Sequence, residues 1–303
     1  MAMSRAQQLK QLVPGLNALF GLEYKAYPDE HMHFYTAANS KKAWEEDVKL
    51  ANLGLATEVG EGAALTYDNG GGEQWAVRYD HVKIGLGFMI TEEAMDDNLY
   101  LSQSQRFTKA LARSLQQTKQ LRAMDIVNRG FTTFNSGDGV TLFNTAHPTL
   151  SGLTNANRPT VAVDLNETSL EAAIIQMADW VDERGLKIQV MAKHIVVPTA
   201  LRFVADRILN TPGRVATADN DINALRNQRV VPGGYKVNHY LTDPNAWFVC
   251  TDVPDGMRHF VRKAVSTKMD GDFDTGNVKY KATERYSFGV SDPLAIWGSS
   301  GST

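Results

Sequence analysis

The stretch GDGVTLFNTAHPTLSG, residues 137–152, decides how the rest of the chain is interpreted. His147 stands beside Pro148 with Ser151 four residues on, an arrangement that invites comparison with a hydrolase. A histidine base needs a nucleophile and an orienting acid to converge on it, and the chain has no G-x-S-x-G motif. Asn144 and Thr145 favour local backbone hydrogen bonds, and proline fixes the exit. The stretch predicts a connecting turn.

The residues before this turn predict one long helix. Residues 92–129 contain neither glycine nor proline, Thr91 can cap the start, and Gly130 provides the stop. Acidic residues fill the first turns and basic residues the later ones, as the helix dipole favours. At 1.5 Å per residue such a helix is about 55 Å long. Its apolar positions do not keep a strict heptad, which disfavours a coiled coil.

Further upstream, residues 56–90 predict a β-hairpin. Two runs of alternating apolar residues flank DNGGG, residues 68–72, a glycine-rich turn. The parity of the alternation changes after Asp80, which indicates a bulge or a change of packing partner near His81. A long isolated ribbon is marginal in water, so we expect a partner surface for it.

The first 27 residues carry an apolar helical stripe interrupted by Pro14 and Gly15. Docking on its own domain and docking on a neighbouring subunit both remain open for this segment.

Residues 131–255 predict a mixed α/β unit. A capping box from Thr168 to Glu171 opens a helix that Gly185 closes, and Pro198 opens a second helix. Strands are predicted in IQVMAKHIVVP (188–198), YKVNHYL (235–241), AWFVCT (246–251), HFVRKAVSTK (259–268) and VKYKATERYSFGV (278–290).

Composition and motifs exclude several classes of site. A net charge of −3 gives no polycationic signature for a dedicated nucleic-acid reader. Cys250 is the only cysteine, and in an apolar strand it predicts an inert buried thiol. His31 and His33 have no close third ligand, and residues 269–277 lack the glutamate of a calcium loop. We expect no metal and no cofactor. No apolar stretch reaches 18 residues and no signal peptide is evident, so we expect a soluble protein made in a cytoplasm.

Four segments together resemble the major capsid proteins of tailed bacteriophages with the Hong Kong 97-type fold. They are GDGVTLFNTAHPTLSG (137–152), GLKIQVMAKHIVVPTALRFVADRIL (185–209), LTDPNAWFVC (241–250) and KYKATERYSFGVSDPLAIWGSSG (279–301). Each is moderately specific, and their order and spacing carry the resemblance.

The resemblance implies an α+β architecture with named parts. Residues 1–54 would form an N-terminal arm, and 55–90 the extended hairpin called the E-loop. Residues 91–130 and 257–303 would form the peripheral domain with its spine helix, and 131–256 the α/β axial domain. Candidate contacts between subunits are Leu12, Leu16, Phe20, Asn69, Gly70, Gly71, Gly72, Trp75, Val77 and Tyr79, and candidate residues facing the lumen or DNA are Arg106, Lys109 and Arg113.

The implied function is an icosahedral head of hexamers and pentamers around double-stranded DNA, held through weak non-specific contacts. The resemblance implies no catalysis, a virion location, and assembly in the host bacterial cytoplasm. It also implies a portal and room for a decoration protein. Some relatives join subunits by a lysine–asparagine bond, but no such pair can be named in this sequence, so we expect a non-covalent shell. Other relatives carry a long N-terminal scaffolding segment, but only a short helical segment precedes the arm here, so we expect a separate scaffolding protein. The alternatives are an encapsulin-like nanocompartment and an α/β hydrolase built on His147 or Cys250.

Overall fold

The computed structural model describes residues 5–96, 100–213, 222–272 and 275–302, with the backbone alone at 5–13, 95–96 and 100–102. The helices are α1 (Arg5–Ala26), α2 (Glu92–Asp96), α3 (Tyr100–Asn128), α4 (Glu167–Ala178), α5 (Arg202–Asn210) and α6 (Ala224–Asn227). The strands are β1 (Thr36–Asn39), β2 (Trp44–Leu50), β3 (Glu73–Asp80), β4 (Val82–Ile90), β5 (His147–Pro148), β6 (Thr154–Asn155), β7 (Ala192–Pro198), β8 (Tyr235–Asn238), β9 (Trp247–Thr251), β10 (Met257–Gly271), β11 (Val278–Val290) and β12 (Ile296–Ser299). Short 3-10 turns lie at Glu30–His33, Thr199–Leu201 and Pro293–Ala295.

The first sheet has the strand order β1-β10-β11-β4, with α1 and α3 packed on it. Strand β1 runs parallel to β10, and the other pairs are antiparallel. Leu111 and Leu115 of α3 bury their side chains against Tyr280 and Ala282 of β11. The long helix therefore serves as the spine of this layer, as its predicted apolar stripe requires.

Helix α1 docks on its own chain. Leu16 and Phe20 are 2% and 3% exposed and join the cluster formed by α3 and β11. This burial corrects their prediction as contacts between subunits, because side chains fully covered by their own chain have no surface left for a neighbour. The helix also continues through Pro14, where the sequence predicts an interruption. The side chain of Leu12 lies outside the described residues.

The second sheet has the order β12-β9-β7-β8 and forms the other main core with α4 and α5. Three strands lie where the sequence predicts them. Strand β12, assigned with residues 257–303 to the other layer, instead pairs with β9, with Ile296 opposite Cys250. The chain end therefore closes the second sheet and ties the two layers together.

Two local predictions are corrected. Helix α4 begins at Glu167 and is capped by Asn166, whose side chain accepts from the Ser169 amide in a capping box two residues earlier than predicted. The same helix ends at Ala178, well before Gly185. The long helix is described in two pieces, α2 and the 29-residue α3, about 44 Å long, with residues 97–99 outside the description. The Thr91 hydroxyl accepts from the Ala94 amide, as a cap does.

The ribbon also differs from its prediction. Strand β3 pairs with β2, so that Asp47 lies opposite Val77, and residues 51–72 form the connection without helix or strand. The ribbon therefore begins at Trp44 and not at residue 55. Strand β4 leaves it to pair with β11, which confirms the change of packing partner predicted near His81.

Replacing Trp297 of β12 by alanine is expected to cost about 3–5 kcal/mol of unfolding free energy. The indole is 1% exposed, lies 4.8 Å from the Trp247 ring, and donates to Gln176 Oε1 at 2.8 Å. Urea unfolding of wild type and variant measures the difference. The control is Trp44→Ala, where the side chain is 40% exposed and a loss below about 1 kcal/mol is expected. Equal losses would contradict the assignment of β12 to the second core.

Candidate assembly surfaces

His147 is a buried structural residue. It is 3% exposed, with Nδ1 2.5 Å from Asp138 Oδ2 and Nε2 3.0 Å from Asn157 Oδ1. The Asn157 amide group points its nitrogen at the carbonyl oxygens of Leu142, Pro293 and Ile296, so its oxygen is left to accept from the histidine. Both ring nitrogens are therefore engaged, and the turn of residues 137–152 is fixed to the chain end.

A hydrolase centred on His147 does not fit this geometry. The Ser151 hydroxyl lies against Thr149 Oγ1 at 2.9 Å, while the imidazole faces Asp138 and Asn157. Cys250 offers no better nucleophile, because burial raises the pKa of its thiol to about 12. A thiol with that pKa stays protonated at neutral pH. The prediction of a connecting turn agrees with these contacts.

Asp138→Asn is expected to lower stability at pH 7 by about 1–3 kcal/mol, because the buried imidazole loses its charged partner. Burial raises the pKa of Asp138, but the hydrogen bonds from His147 and Ser136 outweigh it and hold that pKa below its usual 3.8. The contribution of Asp138 to stability is therefore complete above pH 3.8. It is lost as the pH falls through the lower pKa that Asp138 has in the folded chain. Urea unfolding at pH 7 and near pH 3 checks both statements.

The control for this prediction is Asp80→Asn. Asp80 is 68% exposed and pairs with Arg78 at the surface, where an ion pair contributes at most about 1 kcal/mol. A loss at Asp138 no larger than that at Asp80, or one that does not shrink in acid, would contradict a structural role for the Asp138–His147 pair.

The inner face of the ribbon packs on its own chain. Tyr79 is 2% exposed with its ring 4.9 Å from that of Phe260. Trp75 donates to the Ser291 carbonyl at 3.3 Å. A Cβ added at Gly137 would lie 2.2 Å from Trp75 and 2.6 Å from Val77, so that glycine admits both side chains. The prediction that Tyr79 contacts a neighbouring subunit is therefore corrected, since its own chain covers it. Trp75 and Val77 are only half-buried, and their contact with a neighbouring subunit stays a prediction.

The loop of residues 51–72 is the exposed part of the ribbon. Five of its large apolar side chains are 39–87% exposed, namely those of Leu53, Leu55, Val59, Leu65 and Tyr67. Its charged residues are Glu58, Glu61 and Asp68, with no lysine or arginine. Asn69 and Gly72 are exposed at its end, and Gly70 and Gly71 are half-buried. An acidic loop with so many exposed apolar side chains is typical of a surface that another molecule covers.

Asp68 attaches this loop to the second layer. Its Oδ1 accepts from Arg184 Nη2 at 2.7 Å and from the Gly70 amide at 3.0 Å, and its Oδ2 accepts from the Gly54 amide at 2.8 Å. The amide of Gly54, then Arg184 and then the Gly70 amide lower the pKa of Asp68. The carboxylate therefore organises the loop without burying its apolar residues.

Helix α3 presents a basic face to solvent. Arg106, Lys109 and Arg113 are exposed, and successive members are three or four residues apart, so they share one side of the helix. Among the described residues none forms an ion pair with them. Lys119 instead turns inward to the buried Glu284, with 2.7 Å between Nζ and Oε2.

In the described parts of the chain, no group of three or more candidate ligands is placed to hold a metal ion. His31 is buried among aromatic rings, and its partner in the predicted pair, His33, lies beside His194. Within the described ranges, no helix combines the length and apolarity needed to cross a bilayer.

The described residues combine an α+β body, an exposed apolar loop at residues 51–72 and an exposed basic face on α3. A sequence model of the phage capsid protein family matches residues 74–298, and the chain belongs to that family. No curated protein sequence matches the chain.

Solved capsid structures have the same fold. The capsid protein of the empty GTA particle is 14% identical with a TM-score of 0.53, over 89% of each chain. The capsid protein of Cyanophage P-SCSP1u is 11% identical with a TM-score of 0.53, over 88% of this chain and 85% of that one. The procapsid protein of bacteriophage JBD30 is 12% identical with a TM-score of 0.52, over 99% and 77%. The fold is therefore of the Hong Kong 97 type, and the chain is a capsid shell protein.

Proposed function

We propose that many copies of this chain assemble, as hexamers and pentamers, into the icosahedral head of a tailed bacteriophage around double-stranded DNA. The family match over residues 74–298 carries the proposal. The exposed apolar loop of residues 51–72 supports it, because a closed shell needs each subunit to cover such surfaces on identical neighbours. The chain acts without catalysis, in the virion, after assembly in the host bacterial cytoplasm.

The two layers suggest how the subunit is divided. The first sheet with α1 and α3 forms the peripheral domain, and the second sheet with α4 and α5 forms the axial domain around the symmetry axes. The division adds β12 to the axial side, because that strand pairs with β9. The loop of residues 51–72, with Asn69–Gly72 at its end, reaches the neighbouring subunit as the E-loop.

The basic face of α3 is the proposed contact with packaged DNA. Arg106, Lys109 and Arg113 are exposed, and unpaired cations attract phosphates without reading sequence. With a net charge of −3 the whole molecule is not strongly attracted, which suits weak non-specific contacts. A scaffolding protein, a portal and a decoration protein are the further partners that such a head requires or admits.

Size-exclusion chromatography and negative-stain microscopy of the expressed chain test the proposal. Closed particles in the megadalton range are expected. Particles from infected cells should also contain nuclease-protected double-stranded DNA. Particles that hold a protein cargo and no genome would instead indicate an encapsulin-like compartment, and a stable lone protomer at high concentration would contradict assembly altogether.

A further inference from the structure

Two buried histidines meet where the N-terminal segment crosses the first sheet. His31 belongs to the 3-10 turn Glu30–His33, and His259 belongs to β10. They are 2% and 4% exposed, and their ring centroids are 5.0 Å apart in an edge-to-face arrangement. The His259 ring also stacks on Phe288 at 4.3 Å. The pair therefore forms part of the contact that joins the turn to the sheet.

Three of the four ring nitrogens in the pair lack a hydrogen-bond partner among the described residues. They are both ring nitrogens of His259 and Nδ1 of His31. This arrangement suits neutral imidazoles packed as aromatic rings. It does not suit imidazolium ions, because a buried cation needs an acceptor or a counter-ion.

The charged and titratable neighbours come from several elements. Lys119 on α3 disfavours protonation of both rings. Its own carboxylate partner on β11, Glu284, lies at 2.7 Å, and Tyr286 on the same strand has its ring 5.7 Å from His259. Asp29, which precedes the turn, is 3.9 Å from His31 Nδ1 but is itself largely exposed.

The balance of these neighbours favours the neutral pair. Burial lowers the pKa of His259 to about 3, with His31 and Lys119 adding to the effect. Burial also lowers the pKa of His31, against the opposing effect of Asp29. Both groups therefore bind protons more weakly in the folded chain than in the unfolded one.

We propose that His31 and His259 form an acid-sensitive joint, in which proton uptake beside Lys119 releases the turn Glu30–His33 from the first sheet while the second sheet stays folded. Stability falls as the pH drops below the ordinary histidine value of 6.5, because the released state binds the extra protons. This loss of stability continues until the pH reaches the pKa values that the two histidines have in the folded chain. The joint gives the subunit a local response to acid that is independent of how the subunits assemble.

Hydrogen exchange of the full-length chain between pH 7 and pH 4.5, corrected for intrinsic rates, tests the joint. The amides of Phe34 and Tyr35, which donate to the His31 carbonyl at 3.0 Å, are the reporters, and β9 is the internal reference. Protection of the reporters is expected to fall about tenfold per pH unit for each histidine that takes up a proton, below about pH 6. The reference strand should keep its protection.

His259→Phe keeps an aromatic ring against Phe288 and removes one titrating group. Without one titrating group, the fall in reporter protection for each pH unit should be about tenfold smaller. The variant His31→Phe removes the other histidine and should have the same effect. The matched control is His81→Gln. His81 is also buried in the first sheet, but Ser287 and Ser40 bind its two nitrogens at 2.9 Å. This control should leave the reporter dependence unchanged.

The variant Glu284→Gln tests whether the neighbouring carboxylate, and not the histidines, causes the pH dependence of reporter protection. If the reporters keep their full pH dependence in this variant and lose part of it in His259→Phe, the joint is supported. An unchanged dependence in both phenylalanine variants would overturn the proposal. A dependence abolished by Glu284→Gln, or equal losses of protection in the reporters and in β9, would also overturn it.

Discussion

Deleting residues 55–70 is expected to abolish closed particles and to leave monomers or small oligomers whose core is intact. The deletion removes four of the five exposed apolar side chains of the loop. Burying one such side chain contributes about 1.5–3 kcal/mol, and a closed shell repeats each contact at every subunit. Strand β2 ends at Leu50 and β3 begins at Glu73, so the paired ribbon survives. A deletion shifted to residues 66–75 would remove part of β3, so that loss of the loop could not be separated from loss of the strand.

The measurement is particle yield by size-exclusion chromatography and microscopy, with urea unfolding as a check on the core. A sharper variant keeps the loop length and replaces its five exposed apolar residues, Leu53, Leu55, Val59, Leu65 and Tyr67, by serine. The matched control replaces the polar Asn52, Thr57, Thr66 and Asn69 of the same loop by alanine. We expect particles from the control and none from the serine variant. Normal shells from the deletion would show that the loop does not connect subunits.

Replacing Lys119 by methionine is expected to cost about 3–5 kcal/mol, because it leaves a buried carboxylate without its cation. Glu284 is 2% exposed and also accepts from the Tyr24 hydroxyl at 2.9 Å. Burial and then Glu284 raise the pKa of Tyr24, so the phenol stays neutral and donates a hydrogen bond, but it carries no positive charge that could replace the lysine. Urea unfolding at pH 7 measures the loss.

A double variant, Lys119→Met with Glu284→Leu, should recover most of this stability, because neither charge is then left alone in the interior. The surface control is Arg129→Met. Arg129 pairs with Asp125 at a site where both side chains are about half exposed, and a loss below about 1 kcal/mol is expected. A similar loss at both positions would mean that the interior pair is screened like a surface one.

Local signals in the sequence predicted several elements correctly because the residues that define them are neighbours in the chain. Thr91 marks a helix start through a bond three residues away. Strand β7 is a run of apolar residues that reads as buried without reference to any partner. The change of parity after Asp80 marks the change of partner between β3 and β4, because an alternating pattern records which face is covered.

Long-range pairing could not be predicted in the same way. The alternation of residues 59–67 suited a strand, but β3 pairs with β2, whose pattern carries no signal for that choice. Leu16, Phe20 and Tyr79 have the same apolar side chains whether a neighbouring subunit or their own chain covers them. Their residue types therefore could not indicate which of these two surfaces buries them.

The sequence by itself determined the family, the long spine helix and the buried strands, since these depend on spacing along the chain. The tertiary structure decided which surfaces remain open for neighbours. It buried Tyr79 against the chain's own body and left the apolar side chains of residues 51–72 exposed. The physical reason is that burial depends on how distant segments pack in space, and the pattern of one segment does not contain the position of the other.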